Sequence, residues 1–203
     1  MQPFKRYAGD MAGESVAPGR LEQVRSFLNT WRIPNDTRTA VDDLEQRAGA
    51  ERQWRRELPD VPVPAPGDLA ALRGLRDDLR RALGTAHPDG LTERFAGLRL
   101  RAALQPHDAE HPVRLEPEHH SPASVLTALV VEAVSHGRWH RLRACPDCQW
   151  VFYDSSRNAR RTWCSMEAGP DTRGCGSIAK TRAYRARRRR TPRPAAPERD
   201  PTH

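Results

Sequence analysis

The sequence has no cysteine outside one stretch of 31 positions, few aromatic residues and no long apolar run. Aromatic residues make up 6% of its 203 positions, and hydrophobic residues make up 37% against 30% charged, so any core is modest and needs additional stabilisation. No window approaches the ~20 apolar residues of a membrane span, and the opening residues lack the apolar stretch of a secretion signal. We therefore expect a cytoplasmic protein without a membrane partner.

Positive charge is concentrated near one end of the chain. The formal net charge is +8, and the stretch from Arg138 to Arg193 contains 15 basic and 4 acidic residues, whereas the remaining positions are slightly acidic overall. A local electric field steers charged partners, whereas an evenly spread charge mainly favours solubility. The C-terminal third is therefore the part predicted to bind a polyanion.

Composition and periodicity divide the chain into four segments. Residues 1–18 and 191–203 lack a periodic apolar pattern and are predicted to be disordered. Residues 19–137 are predicted to form a mainly α domain that can include a short β-hairpin near Val113. Residues 138–190 contain all four cysteines and form a separate small module in this prediction.

Apolar residues that recur every three or four positions predict the helices of the first domain. Their predicted extents run from Gly19 to Trp31, from Asn35 or Asp36 through Ala48, from Asp68 to Leu83, from Thr92 to Leu104, and from Ser121 to Gly137. The four prolines between Leu58 and Gly67 exclude a helix there, because proline fixes φ and removes a backbone donor. That stretch is predicted to be a stiff connector.

The cysteines have the spacing of a metal site. Cys145, Cys148, Cys164 and Cys175 are separated by 2, 15 and 10 residues. In a reducing compartment such a cluster favours one shared ion over two disulfides, and four thiolates complete the closed tetrahedron of a structural zinc site. The predicted module is a knuckle, a β-hairpin with a strand over Trp150–Asp154, and a helix that begins near Gly176. Unpaired thiols, or a redox switch that releases zinc, are the alternatives.

The last predicted helix is strongly basic. Arg182, Arg185 and Arg189 share one face, and Lys180, Tyr184 and Arg188 share the neighbouring face, without an acidic residue among them. Like charges repel one another unless a polyanion neutralises them, so these side chains are candidate nucleic-acid contacts. Arg157, Arg160 and Arg161 precede Trp163 and can extend the same surface. A solvated charged tail without a specific partner is the alternative.

The sequence contains no constellation typical of an enzyme. A catalytic zinc keeps an open position, whereas four cysteines fill every position. His136 and His140 lie just before the first cysteine and are not expected to be ligands. We therefore predict a protein that is not an enzyme.

Two segments resemble the CGNR zinc-finger family, whose members usually carry an N-terminal ABATE domain. Their sequences are CPDCQWVFYDSSRNARRTWCSM and GCGSIAKTRAYRARR. FLNTWR and RLRAC are similar to the start of that domain and to its junction with the finger. The resemblance implies one zinc ion on the four cysteines, DNA contacts by the finger, no enzyme activity, and a role as a bacterial stress-responsive transcription regulator. Two departures concern the end of the finger. The signature Asn and Arg are here Ser177 and Ile178, and EAGPDTRG lengthens the preceding loop.

The predicted function is zinc-dependent DNA binding in transcription regulation, with the N-terminal domain supplying homodimer contacts or signal input. An RNA-associated or ribosome-associated zinc protein is one alternative, because a knuckle and an arginine-rich helix also suit structured RNA. A thiol-based redox-sensing interaction module is the other. The sequence does not identify a small-molecule ligand.

Overall fold

A computed structural model describes residues 16–34, 37–85, 89–105, 113–166, 168–169 and 172–190. Nearly all of the two segments predicted to be disordered, and the predicted helix caps Asn35 and Asp36, lie outside these ranges. The side chains of residues 89, 168–169, 172–173 and 189–190 are also outside the description, and Arg189 is among them.

The chain forms seven α-helices and four small antiparallel hairpins within the described ranges. The helices are α1 (Leu21–Leu28), α2 (Leu44–Gly49), α3 (Glu51–Glu57), α4 (Leu69–Arg81), α5 (Thr92–Ala96), α6 (Pro122–Ser135) and α7 (Cys175–Arg190). The strands pair as β1 (Trp31–Arg32) with β2 (Val41–Asp42), β3 (Leu100–Leu104) with β4 (Val113–Pro117), β5 (Leu142–Ala144) with β6 (Val151–Tyr153), and β7 (Ala168–Gly169) with β8 (Thr172–Arg173). The predicted fold class, a mainly α part with a hairpin followed by a small knuckle, hairpin and helix module, is confirmed.

The core of the helical part lies between α1, α4 and α6. Each of these helices turns one set of apolar side chains inward, and the fully buried ones include Phe27, Leu28, Leu72, Leu75, Leu79, Leu126 and Val130. Trp54 of α3 is also fully buried and donates its indole N–H to the carbonyl of Val61 at 3.0 Å. The proline-rich connector therefore packs on the core through a specific hydrogen bond.

Helix α6 has the boundaries that its capping residues predict. The Ser121 hydroxyl accepts a hydrogen bond from the backbone N–H of Ser124 at 3.2 Å, and Gly137 adopts a left-handed φ of 63° just past the end. It is apolar around most of its circumference because it packs against α1, α4 and β4. Across the described ranges, no helix combines the length and apolar character needed to cross a bilayer.

Two predicted helices were wrong in part. The first ends at Leu28 rather than Trp31, and Trp31 lies in β1, because Asn29 and Thr30 direct their side chains into other contacts. The next helix begins at Leu44, and Val41 lies on the paired strand β2. Side-chain periodicity alone does not detect such a two-residue hairpin.

The predicted helix from Thr92 to Leu104 was also wrong in its second half. Helix α5 stops at Ala96, and residues 100–104 form β3, paired in register from Leu100↔Pro117 to Leu104↔Val113. Ladder hydrogen bonds to β4, together with packing of β4 on α6, outweigh the helical preference of Leu and Ala. The predicted strand around Val113 is confirmed.

The hydrophobic core continues across the predicted boundary at residue 138. Trp139, Leu142 and Val151 belong to the same buried cluster as α1, α4 and α6. The backbone N–H of Gly84 donates to the carbonyl of Leu142 at 3.0 Å, and the Trp139 indole donates to that of Ala82 at 3.3 Å. The end of α4 therefore positions the hairpin that carries the first two cysteines.

Arg80 connects three elements at this junction. Its guanidinium donates to the carbonyl of Leu28 at 2.9 Å and to that of Gln149 at 2.7 Å, and it lies 4.7 Å from the centre of the Trp31 ring. Burial lowers the pKa of Arg80 to about 10, so the group remains a cation at neutral pH. It fixes the C-terminus of α1 against the turn after Cys148.

Candidate metal centre

The structure brings all four cysteines together. Their Sγ atoms lie within 4.8 Å of one another, and every one of these side chains is buried. The Cys164 sulfur is 3.5 Å from that of Cys148 and 3.7 Å from that of Cys175. Tetrahedral Zn–S bonds of about 2.3 Å set the sulfurs of a zinc site about 3.8 Å apart. The spacing and the donor set therefore fit one zinc ion.

The first two cysteines lie in a tight turn between β5 and β6. The backbone N–H of Cys145 donates to the carbonyl of Trp150 at 2.9 Å, and the N–H of Gln149 donates back to the carbonyl of Cys145 at 2.8 Å. Gln149 closes the turn with a left-handed φ of 60°. This knuckle directs both sulfurs to one side of the hairpin.

The other two cysteines bring later parts of the chain to the same metal site. Cys164 follows the basic loop after β6, and Cys175 is the first residue of α7, preceded by Gly174 with a left-handed φ of 53°. The backbone N–H of Gly176 donates to the carbonyl of Ser165 at 2.9 Å. The metal site therefore determines where α7 begins.

The crowded thiols shift one another's pKa. Hydrogen bonds from Cys148, and then from Cys164 and Cys175, hold the pKa of the Cys145 thiol far below its usual value. The contact with Cys145 is the largest cause of a raised pKa at both Cys148 and Cys164. Ionisation of a second thiol beside the first is therefore unfavourable without a cation, and zinc supplies that positive charge in a site of four cysteines.

The second half of the module has few buried side chains besides its cysteines. The buried cluster around the sulfurs adds Phe152, with Trp150 and Trp163 packed at its edge. Between residues 155 and 188, the described buried residues are two cysteines and two glycines, namely Cys164, Gly174, Cys175 and Gly176. Because this segment buries so little apolar surface, zinc binding must supply most of its stability.

Arg161, a predicted nucleic-acid contact, is placed against the metal centre. Its guanidinium donates to the carbonyl of Trp163 at 2.9 Å and also to that of Cys164, and it lies 5.2 Å from the centre of the Phe152 ring. The side chain is half-buried. Its observed contacts therefore support the loop that carries Cys164.

Asp154 orders the basic loop, and sequence reasoning gave it no role. It is fully buried, and its carboxylate accepts hydrogen bonds from the backbone N–H of Ser156 at 3.0 Å, the Ser156 hydroxyl at 2.5 Å and the backbone N–H of Arg161 at 2.7 Å. Burial raises the pKa of Asp154, but donation by Ser156 and Arg161 outweighs it, so the pKa is lowered overall. An aspartate after a strand and before a serine is a recognisable turn signal.

We expect Asp154→Asn to destabilise the module by about 1–3 kcal/mol, because a neutral amide replaces a charged acceptor of three hydrogen bonds. Urea unfolding followed by tryptophan fluorescence measures the loss. A lowered pKa means that the stabilisation is present above the usual carboxyl range and is lost as the pH falls through the folded-state value, so the difference should be constant from pH 6 to 8. Asp77→Asn, at an exposed carboxylate, is the control. Equal stability of both variants would contradict this role.

The remaining predicted contacts lie on the surface where their side chains are described. Arg157 and Arg160 of the loop are exposed, as are Lys180, Arg182, Arg185 and Arg188 of α7. Arg188 lies 5.8 Å from the centre of the Tyr184 ring, and Tyr184 is 56% exposed. The loop and the helix thus present cations around the same zinc module.

One acid in the knuckle is close to the basic helix. Asp147 lies between the first two cysteines, and its Oδ1 is 3.2 Å from Arg182 and 3.4 Å from Arg38 of the β1–β2 connection. The prediction that no acidic residue offsets the positive charge of the helix took account of the helix residues alone. Asp147 lies outside the helix and was therefore missed. Asp147 ties the first half of α7 to the knuckle and to the helical part.

The two positions that depart from the family signature have different surroundings. Ser177 is exposed, and its hydroxyl donates to the carbonyl of Met166, whereas Ile178 is half-buried. A Cβ on Gly176 would lie 2.2 Å from the Met166 sulfur and 3.3 Å from the Trp163 ring, so a side chain there would displace that of Met166. Through its hydrogen bond to Met166, Ser177 connects the start of α7 to the loop after Cys164.

Comparison with protein families identifies the module. Residues 141–188 match the family model of the CGNR zinc finger. A search of curated proteins found no significant match to the chain. The matched segment contains all four cysteines, so this part of the chain is similar to a CGNR zinc finger and has a site that fits one zinc ion.

Proposed function

We propose that the protein is a zinc-dependent DNA-binding protein that regulates transcription, with a structural zinc ion and no catalytic activity. The CGNR-type finger is the proposed DNA-binding part. The resemblance of residues 19–137 to an ABATE domain supports a stress-related regulatory role, with that part supplying homodimer contacts or signal input. The four cysteines would hold the ion, and the exposed basic side chains would contact DNA.

The observation that carries the proposal is the exposure of α7 beyond its first turn. Every described side chain from Thr181 to Arg188 is exposed, and four of these eight residues are arginines. The helix therefore projects from the metal centre with its guanidinium groups accessible. An exposed, cationic rod of this kind is suited to the phosphate backbone and can place arginines at base edges in a major groove.

The energetics of α7 also favour a polyanionic partner. A single helix of 16 residues is marginal in water without packing, and cations four positions apart destabilise it further. Phosphate groups would remove that repulsion and release condensed counterions from the DNA. Helix formation beyond the first turn is therefore expected to increase when DNA binds.

Selection from a random pool of duplex DNA, with the zinc-loaded full chain, tests the proposal. A recovered sequence motif, lost on substitution of the α7 arginines, supports transcription regulation, whereas enrichment no better than background contradicts it. Structured RNA that competes better than duplex DNA would favour the RNA-associated alternative. Zinc release by low doses of peroxide, combined with feeble affinity for both nucleic acids, would favour a redox-sensing module.

We expect Arg185→Ala to weaken DNA binding by about 10-fold at low salt and to make the salt dependence less steep. If six phosphates are contacted, log K falls against log salt with a slope of about −5, and each lost contact reduces the slope by about 0.9. Fluorescence anisotropy between about 50 and 200 mM salt measures both quantities. Arg55→Ala removes the same charge from an exposed site on α3 and is the control. An unchanged slope in Arg185→Ala would exclude α7 from the interface.

A further inference from the structure

Strand β3 lies at the edge of a two-stranded sheet in the helical part. It pairs with β4 along its whole length, from Leu100↔Pro117 to Leu104↔Val113, and β4 packs on α6. Within the described ranges, this sheet has no third strand. The side of β3 that faces away from β4, its outer edge, is therefore the free edge of the sheet.

The hydrogen bonds of the hairpin show which backbone groups point to the outer edge. The N–H of Glu118 donates to the carbonyl of Arg99 at 3.0 Å, so these two residues form a hydrogen-bonded pair. Hydrogen-bonded and non-hydrogen-bonded pairs alternate along an antiparallel ladder, so every second residue of β3 directs its N–H and C=O away from β4. These outward residues are Leu100, Ala102 and Leu104. In agreement, the N–H of Leu115 points away from β3 and donates to Glu132 of α6 at 3.5 Å.

The two edges of the hairpin differ in how they are covered. Glu132 and α6 lie along the far side of β4, whereas on β3 the side chain of Leu104 is 79% exposed. Natural edge strands are usually protected by a lysine, a proline or a bulge. Strand β3 contains neither lysine nor proline, and its register with β4 is unbroken. Its one charged residue, Arg101, pairs with Glu116 of the same hairpin at 2.8 Å.

The sequence of β3, LRAAL, is complementary to itself in an antiparallel pair. With Ala102 opposite Ala102 of a second copy, all outward residues form hydrogen-bonded pairs. Leu104 then lies opposite Leu100 of the second copy on one face of the sheet, and such apolar cross-strand pairs stabilise a sheet. On the other face Arg101 lies opposite Ala103, so like charges do not meet directly. A register centred on Arg101 would place the two guanidinium groups opposite each other, which is unfavourable.

We propose that the protein forms a homodimer in which β3 pairs antiparallel with β3 of a second copy, so that two hairpins become one four-stranded sheet. This inference rests on the proposed homodimer role of residues 19–137 and assigns that role to one surface. The contact closes at two copies, because both contribute the same strand across a two-fold axis. The interface is small, so a reversible dimer with a Kd of about 10–100 µM is expected.

Sedimentation of the zinc-loaded full chain without DNA, between about 5 and 200 µM, should show conversion from monomer to dimer mass. At the highest concentration, the amides of Leu100, Ala102 and Leu104 should exchange at least about 3-fold more slowly by NMR. The amides of Arg101 and Ala103 already pair with β4 and should not change. A monomer mass at every concentration, or a dimer without this alternating protection, would overturn the proposal. DNA is absent, so failure of the dimer is distinguishable from failure of DNA binding.

Two variants locate the interface, and each should raise the dimer Kd at least about 10-fold. Ala102→Pro removes an outward N–H but no hydrogen bond to β4, a position that proline tolerates in an edge strand. Leu104→Lys introduces an edge lysine at an exposed position and keeps the backbone unchanged. Ala71→Lys adds the same charge at an exposed position of α4 and should dimerise like the wild type. Dimerisation that survives both β3 variants, or that Ala71→Lys weakens equally, would overturn the proposal.

Discussion

Replacement of Cys164 by serine should release the zinc ion and unfold most of the finger. The Cys164 sulfur lies 3.5 Å from that of Cys148 and 3.7 Å from that of Cys175, so its loss opens the coordination shell between the knuckle and α7. Structural zinc contributes an apparent 10–16 kcal/mol, roughly, in finger peptides. The small cluster of Phe152, Trp150 and Trp163 cannot replace a contribution of that size.

The expected unfolding is confined to part of the module. Strands β5 and β6 bury Leu142 and Val151 in the main core, so they should keep their hydrogen bonds without the ion. The segment 155–188 buries little besides its two cysteines and should lose protection against amide hydrogen exchange. The helical part should remain folded.

Hydrogen exchange followed by mass spectrometry, together with the zinc content of the purified variant, checks this prediction. Thr162→Ser makes a comparably small change at an exposed position two residues away and should keep both zinc and protection. Zinc bound at full stoichiometry by Cys164→Ser, with the start of α7 still protected, would show that the cluster does not depend on the Cys164 sulfur.

Asn29→Ala should lower the free energy of unfolding by about 2–3 kcal/mol, although Asn29 is distant in sequence from the finger. Its side chain is 2% exposed, its Oδ1 accepts the backbone N–H of Val151 at 2.7 Å, and its Nδ2 donates to the Val151 carbonyl at 2.9 Å. The amide thus pairs with the free edge of β6 as another strand would. Alanine leaves the buried N–H of Val151 without this acceptor, and that desolvation is the main cost.

Chemical unfolding of the zinc-loaded protein measures this effect. Asn158→Ala, at an exposed asparagine of the basic loop, should change stability by less than about 0.5 kcal/mol. Asn29→Ala should retain its zinc, because Asn29 contacts β6 and no cysteine. Equal stability of the two variants would mean that the pairing of Asn29 with Val151 does not contribute to the coupling of the finger and the helical part.

The sequence predicted features that depend on local chemistry. Cysteine spacing predicted the metal cluster, Ser121 and Gly137 predicted the ends of α6, and the apolar stripe predicted α4. The helix ends and the apolar stripe depend on residues close together in the chain. The metal cluster depends on four cysteines, a ligand set that is typical of structural zinc. Their physical causes are visible in a linear pattern.

Features that depend on distant partners could not be predicted in the same way. Asn29 ends α1 because its amide is used by Val151, 122 positions away, and Arg80 bridges Leu28 and Gln149. Side-chain to backbone pairing over such separations leaves no periodic signal.

The metal content of the wild-type chain, purified under reducing conditions, tests the central claim most directly. Elemental analysis should find one zinc ion per chain, and a strong chelator should abolish hydrogen-exchange protection at the start of α7, where the N–H of Gly176 donates to Ser165, while leaving that of α6 intact. A chain without stoichiometric zinc, in which the start of α7 stays protected in the presence of the chelator, would contradict the account.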